Sequence, residues 1–564
     1  MAYELKRVKA PKLSGFGLRA VTALMETSLT RSLLLPRLLQ SAGITEFRRL
    51  RPDGPPTLYP LVEPAVAADQ DADGIALTND VAAAAAQVDS EQFRHPTVLD
   101  YARAYRDNSV SPTDVAQHVI DAIEGSNQST PPLRAIIQCQ HEDVLRQARE
   151  SSERLAQRRP RSILEGVPIA IKDELDMLPY DTTVGTRFVA EHSVRRDSAV
   201  VDRLRAAGAL LVGKANMYEI GIAPMGNNPI HGFTRNPYDV RHDSGGSSSG
   251  CGAAVGAGIV PLAIGADGGG SVRIPAALCG VVGLKPTFGR ISTYGTASLC
   301  WSVGHPGPLG ATVLDAAIGY AICAGRDSRD RLSMKQPAAH LDGFHQTDLR
   351  GVTLGVYEPW FDDADAEVAA ACETAMKKLE SAGAVRKQVE IRGLEESRIA
   401  HTVSILTEMA AAMDKYYDRY RTAFSHPTRI NLVLAREFSN LDYVRAQRVR
   451  TAALEEWDRV FSEVDVVMTP ATACTAPLLT PGSEKYGESD LYTVTSLMHY
   501  AIPGNLCGIP AVSFPAGYDR NGLPVGLQAI GRHWEGHLLL RIANAAEQVT
   551  ERRRPAVCYD PLSG

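Results

Sequence analysis

The stretch Ile264–Gly280, "IGADGGGSVRIPAALCG", puts three consecutive glycines in front of a single serine and runs at once into a short apolar segment. Glycine loses more backbone entropy on folding than any other residue and supplies no packing, so this density serves a backbone need. Successive residues without Cβ atoms let several N–H groups converge on one point, as an oxyanion-binding site requires, and they leave room for a substrate. Taken alone, the stretch also reads as a glycine-rich strand-to-helix turn capped by Ser271. The rest of the chain has to decide.

The order helix, glycine turn, strand recurs around it. "VDRLRAAGALLVGKANM" has that order, and "GCGAAVGAGIVPLAIGADGGG" repeats it directly into the glycine run. "GVPIAIKDE" is the first clear strand, and "VDVVMTP" (Val464 to Pro470) is a buried one. "AVSFPAGYDRNGLPVGLQAIG" predicts a hairpin turning at Asn521-Gly522. "PTVLDYARAYRDNSVSPTDVAQHVIDAIE" predicts two helices, the second capped near Ser111 or Thr113, and residues 365–460 read as mainly helical. This alternation predicts an α/β fold, one large domain over residues 96–564 with helices on both faces of a mixed sheet.

Two further segments precede that domain. Residues 1–50 carry nine Lys/Arg against three Asp/Glu, with Leu18, Val21, Met25 and Leu29 at helical spacing and "LLLPRLL" behind them. They predict one or two amphipathic helices interrupted near Pro36. Such helices either cap the main body or rest a basic, apolar face on an anionic membrane. Residues 51–95 hold eight acids and only two arginines and read as an irregular acidic connection with one short helix.

Bulk properties narrow the class of function. Of 564 residues, 44% are hydrophobic and 22% charged, which supports a large packed core. The net charge of −6 offers no general attraction to nucleic acid. Nine scattered cysteines form no CxxC pair, which argues against a disulfide framework or a zinc site and favours a reducing, cytoplasmic setting. No secretory leader is recognisable in "MAYELKRVKAPKLSGFG", and no run approaches the length of a spanning helix. No metal or cofactor is expected.

Candidate nucleophiles are serines. In "HDSGGSSSGCG" (His242 to Gly252) the G-x-S-x-G pattern formally marks Ser248. That elbow needs an apolar strand before it, and polar, proline-bearing "TRNPYDVRHD" stands there instead. No phosphate-loop motif occurs. Ser271 has the better context but needs a base. None of the 14 histidines sits in a recognisable triad context. Lys172, in "GVPIAIKDELD", shares a strand face with Pro168 and Ala170 among apolar neighbours. Desolvation there favours the neutral amine, whereas a surface position would let it snorkel to water.

Taken together, "GVPIAIKD", "GGSSSG" and "GADGGGSVRIPAALCGVVGLKPTFGR" occur in this order, with Ser247 and Ser271 separated by 24 positions. The combination closely resembles the amidase signature family over about residues 96–555. The resemblance implies a serine amidohydrolase with a Ser–Ser–Lys triad: Lys172 as base, Ser247 as bridging serine, Ser271 as nucleophile. It implies a cis peptide at Gly246-Ser247 and an oxyanion hole from the amides of Gly268, Gly269, Gly270 and Ser271. It also implies an Asp267–Arg273 pair that holds the loop in shape.

Within that family, "VKAPKLSGF", "GKANMYEIG", "GNNPIHGFTRNPYD" and "DGGGSVRIPAALCG" resemble the plant-type fatty acid amide hydrolases. This implies an N-acyl amide substrate with an apolar acyl group, a helical N-terminal cap over the substrate entrance and a homodimer; peripheral membrane contact stays the alternative reading of the N-terminal helices. Ile222, Pro224, Met225 and Trp301 are the expected substrate-lining positions, with Cys300 and His305 nearby. Ala266 and Pro224 depart from the usual residues. Two alternatives remain: an amidase of the same fold acting on short, aryl or carbamate substrates, and a glutaminase-type subunit of a transamidation complex.

Overall fold

The apolar runs Pro168–Lys172 and Leu262–Asp267 are buried at every position, the pattern of central strands covered by helices on both faces. The computed structural model describes residues 3–8, 11–64, 73–84, 93–189 and 194–564. Lys9 and Ala10 of the N-terminal motif, and Ala85 and Ala86 of the alanine run, lie outside the described residues.

In chain order the strands are β1 (Leu13–Ser14), β2 (Ile136–Gln138), β3 (Pro168–Lys172), β4 (Leu210–Ala215), β5 (Leu262–Asp267), β6 (Val282–Lys285) and β7 (His305–Gly310). They continue as β8 (Thr353–Val356), β9 (Val385–Gln388), β10 (Val466–Pro470), β11 (Glu488–Ser489), β12 (Ala511–Tyr518) and β13 (Pro524–Gly531). Eleven of them form one sheet in the order β2-β4-β3-β5-β7-β6-β12-β13-β10-β8-β9. β3 runs parallel to both β4 and β5, and β10, β8 and β9 form a second parallel group. Antiparallel strands join the groups, so the sheet is mixed and the fold α/β. The hairpin β12–β13 turns through Gly522 at φ +82°. Its turn is tied by the Asp519 carboxylate, which accepts the Asn521 and Leu523 amides at 2.8 and 2.9 Å.

Local sequence explains the helix starts. Thr97 and Ser111 open the helices Val98–Arg106 and Pro112–Gln128 with capping boxes closed by Asp100 and Asp114. In the acidic segment, the helix Gly74–Ala84 buries Val81 against the helix Val313–Cys323.

The N-terminal break is not where proline predicts it. The helix Ser28–Ser41 runs through Pro36, and the chain breaks instead at Thr27, with φ −90° and ψ 124°. Hydroxyls replace the amides that would have continued the preceding helix Gly15–Glu26: Thr27 Oγ1 donates to the Ala23 carbonyl at 3.0 Å and Thr30 Oγ1 to that of Leu24 at 2.5 Å. Pro36 removes one hydrogen bond from an exposed face, and the helix is long enough on either side to bridge it. The expected apolar stripe is divided: Leu18 and Met25 are buried, whereas Leu29 is 75% exposed. Arg429 donates to Glu26 at 2.9 Å, β1 pairs with β11, and Arg7 and Arg48 donate to Asp363 and Asp442, so this segment is fixed to the main body along its length. Among the described residues, no helix is long and apolar enough to cross a membrane.

Candidate active site

Because β3 and β5 are parallel neighbours, their carboxyl ends open on the same edge of the sheet, where crevices in such sheets form. β3 ends on Lys172, and β5 leads into Asp267 and the glycine run. The helix Ser249–Gly256 leads into β5 and places Ser247 and Ser248 just before its first turn. Three separated pieces of sequence meet at one sheet edge.

Lys172 is buried, and its Nζ donates to Ser247 Oγ at 2.9 Å and to the Ala266 carbonyl at 3.0 Å. A third neighbour was not expected: Glu174 Oε2 lies 2.8 Å from Nζ. The chain turns directly after β3, the Leu175 amide donating to the Lys172 carbonyl at 3.1 Å, and this turn brings Glu174 against Nζ, so the lysine anticipated among apolar groups has a carboxylate in contact instead. Snorkelling is excluded by burial; purely apolar surroundings are excluded by Glu174.

The Gly246-Ser247 peptide is cis. Gly246 N–H donates to the Pro224 carbonyl at 2.9 Å, and a Cβ at Gly246 would sit 2.0 Å from the Met225 carbonyl oxygen. Pro224 and Met225 thus support the segment carrying Ser247 through their backbones. Ser248 is buried with its hydroxyl donating to the Ala266 carbonyl at 3.1 Å, which fastens it to β5 and leaves the elbow reading without an exposed nucleophile. Ser271 lies beside this helix start: its carbonyl accepts the Ser248 amide at 3.2 Å. Among the described residues, no side-chain hydrogen bond joins Ser247 to Ser271.

The glycine loop is shaped by Asp267 and Arg273, both fully buried. Arg273 Nε and Nη2 reach the two carboxylate oxygens at 3.0 and 3.1 Å. Arg273 also donates to Gln528, Asn505 and the Ala501 carbonyl at 2.6 to 3.0 Å. Burial alone would raise the Asp267 carboxyl; Arg273, with Lys285 and the Asn505 amide, overrides burial and holds it well below the usual carboxylate range. Asp267 further accepts the Gly270 amide at 2.6 Å and the Val272 amide at 3.1 Å. This changes the expected oxyanion hole: the Gly270 N–H is already bound, whereas those of Gly268, Gly269 and Ser271 have no protein acceptor among the described residues. Gly270 sits at φ +109°, a conformation that favours glycine, and a Cβ there would meet Ile274 at 2.5 Å.

Around this centre the lining is apolar. Ile222 follows Gly221, where a Cβ would come within 3.4 Å of Ser247 Oγ. Ile222 packs against three apolar groups, represented by Leu299 and Met413, by Met225 and Leu497, and by Cys300, Val303 and Met409. Trp301 is partly exposed. His305 lies on β7 behind the loop, its Nδ1 2.7 Å from the Val303 carbonyl, and burial pushes its pKa well below the ordinary value. Sequence reasoning missed Glu174, Asn505, Gln528 and His401. Glu174 is close in sequence but reaches Lys172 through the turn after β3, which strand alternation does not predict; the others carry no local signal.

Comparison with known proteins gives a consistent set of relatives. The sequence profile of the Amidase family matches residues 114–540. A fatty acid amide hydrolase of Oryza sativa subsp. indica is 37% identical over 594 aligned positions, covering 100% of this chain and 96% of that protein. A glutamyl-tRNA(Gln) amidotransferase subunit of Coxiella burnetii is 32% identical over 480 positions, covering 81% of this chain and 97% of that one. The solved structure of native peptide amidase from Stenotrophomonas maltophilia superposes with a TM-score of 0.70 at 28% identity, covering 81% of this chain and 98% of that one.

Proposed function

Since the chain belongs to the amidase signature family and is an amide hydrolase, we propose that it cleaves N-acyl amides with apolar acyl groups through a Ser271 acyl-enzyme. The observation that carries this reading is the 2.9 Å contact between the buried Lys172 Nζ and Ser247 Oγ, across which Ser247 donates when the amine is unprotonated, at the sheet edge where the glycine loop presents Ser271. Unprotonated Lys172 takes the Ser247 proton while Ser247 takes that of Ser271, and the Ser271 oxygen attacks the acyl carbon. The free amides of the loop bind the oxyanion, each such donor contributing about 2.7–4 kcal/mol. The relay then returns the proton to the departing amine, because an amine anion is a poor leaving group. Water attacks the ester by the same route, releasing the acid and regenerating Ser271.

Two observations favour a long apolar acyl group. The apolar groups that meet at Ile222 lie next to Ser247. The rice fatty acid amide hydrolase aligns with the whole chain, including the N-terminal helices, whereas the amidotransferase relative covers 81% of it. Those helices expose Phe16, Leu24, Leu29 and Leu33 beside Arg19 and Arg31, a surface suited to an anionic bilayer.

A fluorophosphonate probe followed by mass mapping tests the chemistry. Modification of Ser271, greatly weakened in Lys172→Ala, is expected; a label on Ser248 would overturn the assignment. Rates on a series of acyl lengths test the substrate class, and no gain in kcat/KM with chain length would leave the short-chain and aryl amidase reading in its place.

A further inference from the structure

His401 lies on the helix Leu394–Tyr420, far along the chain from the triad, and is fully buried. Its Nε2 is 2.7 Å from the Gly268 carbonyl oxygen. Its ring packs on the next residue: a Cβ at Gly269 would stand 3.0 Å from His401 Cε1 and 2.7 Å from Met498 Cε. A carbonyl only accepts, so Nε2 carries the proton, and Nδ1 has no hydrogen-bond partner. The imidazole has one polar contact, and that contact is the glycine loop.

Peptide geometry gives this contact a consequence. The cis bonds of the described chain are Thr130-Pro131, Leu178-Pro179 and Gly246-Ser247, so the Gly268–Gly269 peptide is trans. In a trans peptide the C=O and N–H point to opposite sides of a rigid plane. Holding the Gly268 carbonyl toward His401 therefore aims the Gly269 N–H away from it, and that N–H has no protein acceptor among the described residues. Glycine on both sides of the plane leaves no side chain to stop it rotating.

We propose that His401 is a positioning residue that fixes the Gly268–Gly269 peptide so that the Gly269 amide donates to the oxyanion formed at Ser271. The inference rests on the acyl-enzyme reading above and adds the group that orients one of its donors. His401 acts through the peptide and does not touch the reacting atoms. Burial pushes its pKa down to about 4 against the opposing pull of the Gly268 carbonyl, so the ring is neutral and Nε2-protonated near neutral pH. Arg450, Asp267 and Arg273 are the charged groups that act on it.

The test compares His401→Gln, whose amide nitrogen reaches the Nε2 position, with two variants lacking a donor there: His401→Met, and His401→Asn, whose amide stops near Nδ1. Expected are a fall in kcat of about 10–100-fold in the Met and Asn variants at nearly unchanged KM, and recovery in the Gln variant to within a few-fold of wild type. A trifluoromethyl ketone bearing the substrate's acyl chain, which forms a tetrahedral adduct, should lose affinity in parallel, whereas binding of the product acid should not change. Equal impairment in all three variants, or a loss confined to KM, would overturn the proposal. Because Ser271 labelling by fluorophosphonate in the wild type is read separately, failure of the positioning role and failure of the acyl-enzyme reading give different results.

Discussion

The Asp267 carboxylate accepts the Gly270 amide at 2.6 Å while both of its oxygens are held by Arg273. The third glycine of the loop is therefore part of the scaffold, and the first two, with Ser271, are what it presents. An ion pair with no exposure to water organises the glycine loop through its backbone, and the buried amides of Asn505 and Gln528 complete the arrangement.

Replacing Asp267 with Asn leaves Arg273 charged, buried and unopposed. Breaking a buried pair from one side costs about 3–5 kcal/mol, so Asp267→Asn should lower the melting temperature sharply and abolish Ser271 labelling. The Asp267 carboxyl is held below its unfolded value, so the stability it contributes is present above an unfolded pKa of about 3.9 and is lost as pH falls further. The gap between wild type and variant in thermal unfolding should stay constant from neutral pH down to the carboxylate range and close only in stronger acid. A gap that closes near neutral pH would show that Arg273 is not what holds the carboxylate.

How much of this was legible in the sequence follows the range of each interaction. Alternating strands and helices, the cap at Ser111 and the turn at Asn521-Gly522 depend on neighbours in sequence, and local pattern displays them, though sequence reasoning missed the Thr97 capping box. Lys172, Ser247 and Ser271 meet because β3 and β5 are parallel, which residue spacing alone does not determine; the motif combination carried that information. His401 and Asn505 reach the loop from 133 and 238 positions away, with nothing nearby in sequence to mark them. At Thr27 a local rule was outweighed, since hydroxyl caps ended one helix while the next ran through its proline.

Ser248 offers a test of the proposed division between a structural and a nucleophilic serine. Its hydroxyl donates to the Ala266 carbonyl at 3.1 Å and accepts the Ala266 amide at 3.4 Å, so Ser248→Ala removes two buried hydrogen bonds, each worth about 0.5–1.5 kcal/mol. The variant should melt slightly lower and keep most of its fluorophosphonate labelling at Ser271. Loss of labelling on the scale of Lys172→Ala would place Ser248 in the proton relay.

The exposed face of the N-terminal helices offers an independent test of lipid contact. Phe16, Leu29 and Leu33 are 81%, 75% and 73% exposed, a large apolar area to leave in water. Changing all three to Ser should reduce co-sedimentation with vesicles containing phosphatidylserine by at least about tenfold, given about 1.5–3 kcal/mol for each fully buried side chain. Turnover of a short, water-soluble amide should be unaffected. Unchanged co-sedimentation would assign these residues to some other surface.

Asp243 gives the chain a pH dependence opposite in sign to that of Asp267. It is buried just before the segment carrying Ser247, where one oxygen accepts the Gly226 and Gly245 amides at 2.8 and 2.6 Å and the other has no partner. Burial outweighs those two amides and pushes the carboxyl up to about 7. A carboxyl raised in the folded state contributes its stability below the unfolded pKa of about 3.9 and loses it as pH rises through about 7. Asp243→Asn keeps an oxygen acceptor for the two amides and does not titrate. Its melting temperature should therefore gain on that of wild type between pH 4 and pH 7, by about 2–5 °C in all, and hold a constant lead above that range. A lead that shrinks as pH rises would mean that the carboxylate is stabilised as the anion, and that the unpartnered oxygen is solvated through a path to the surface.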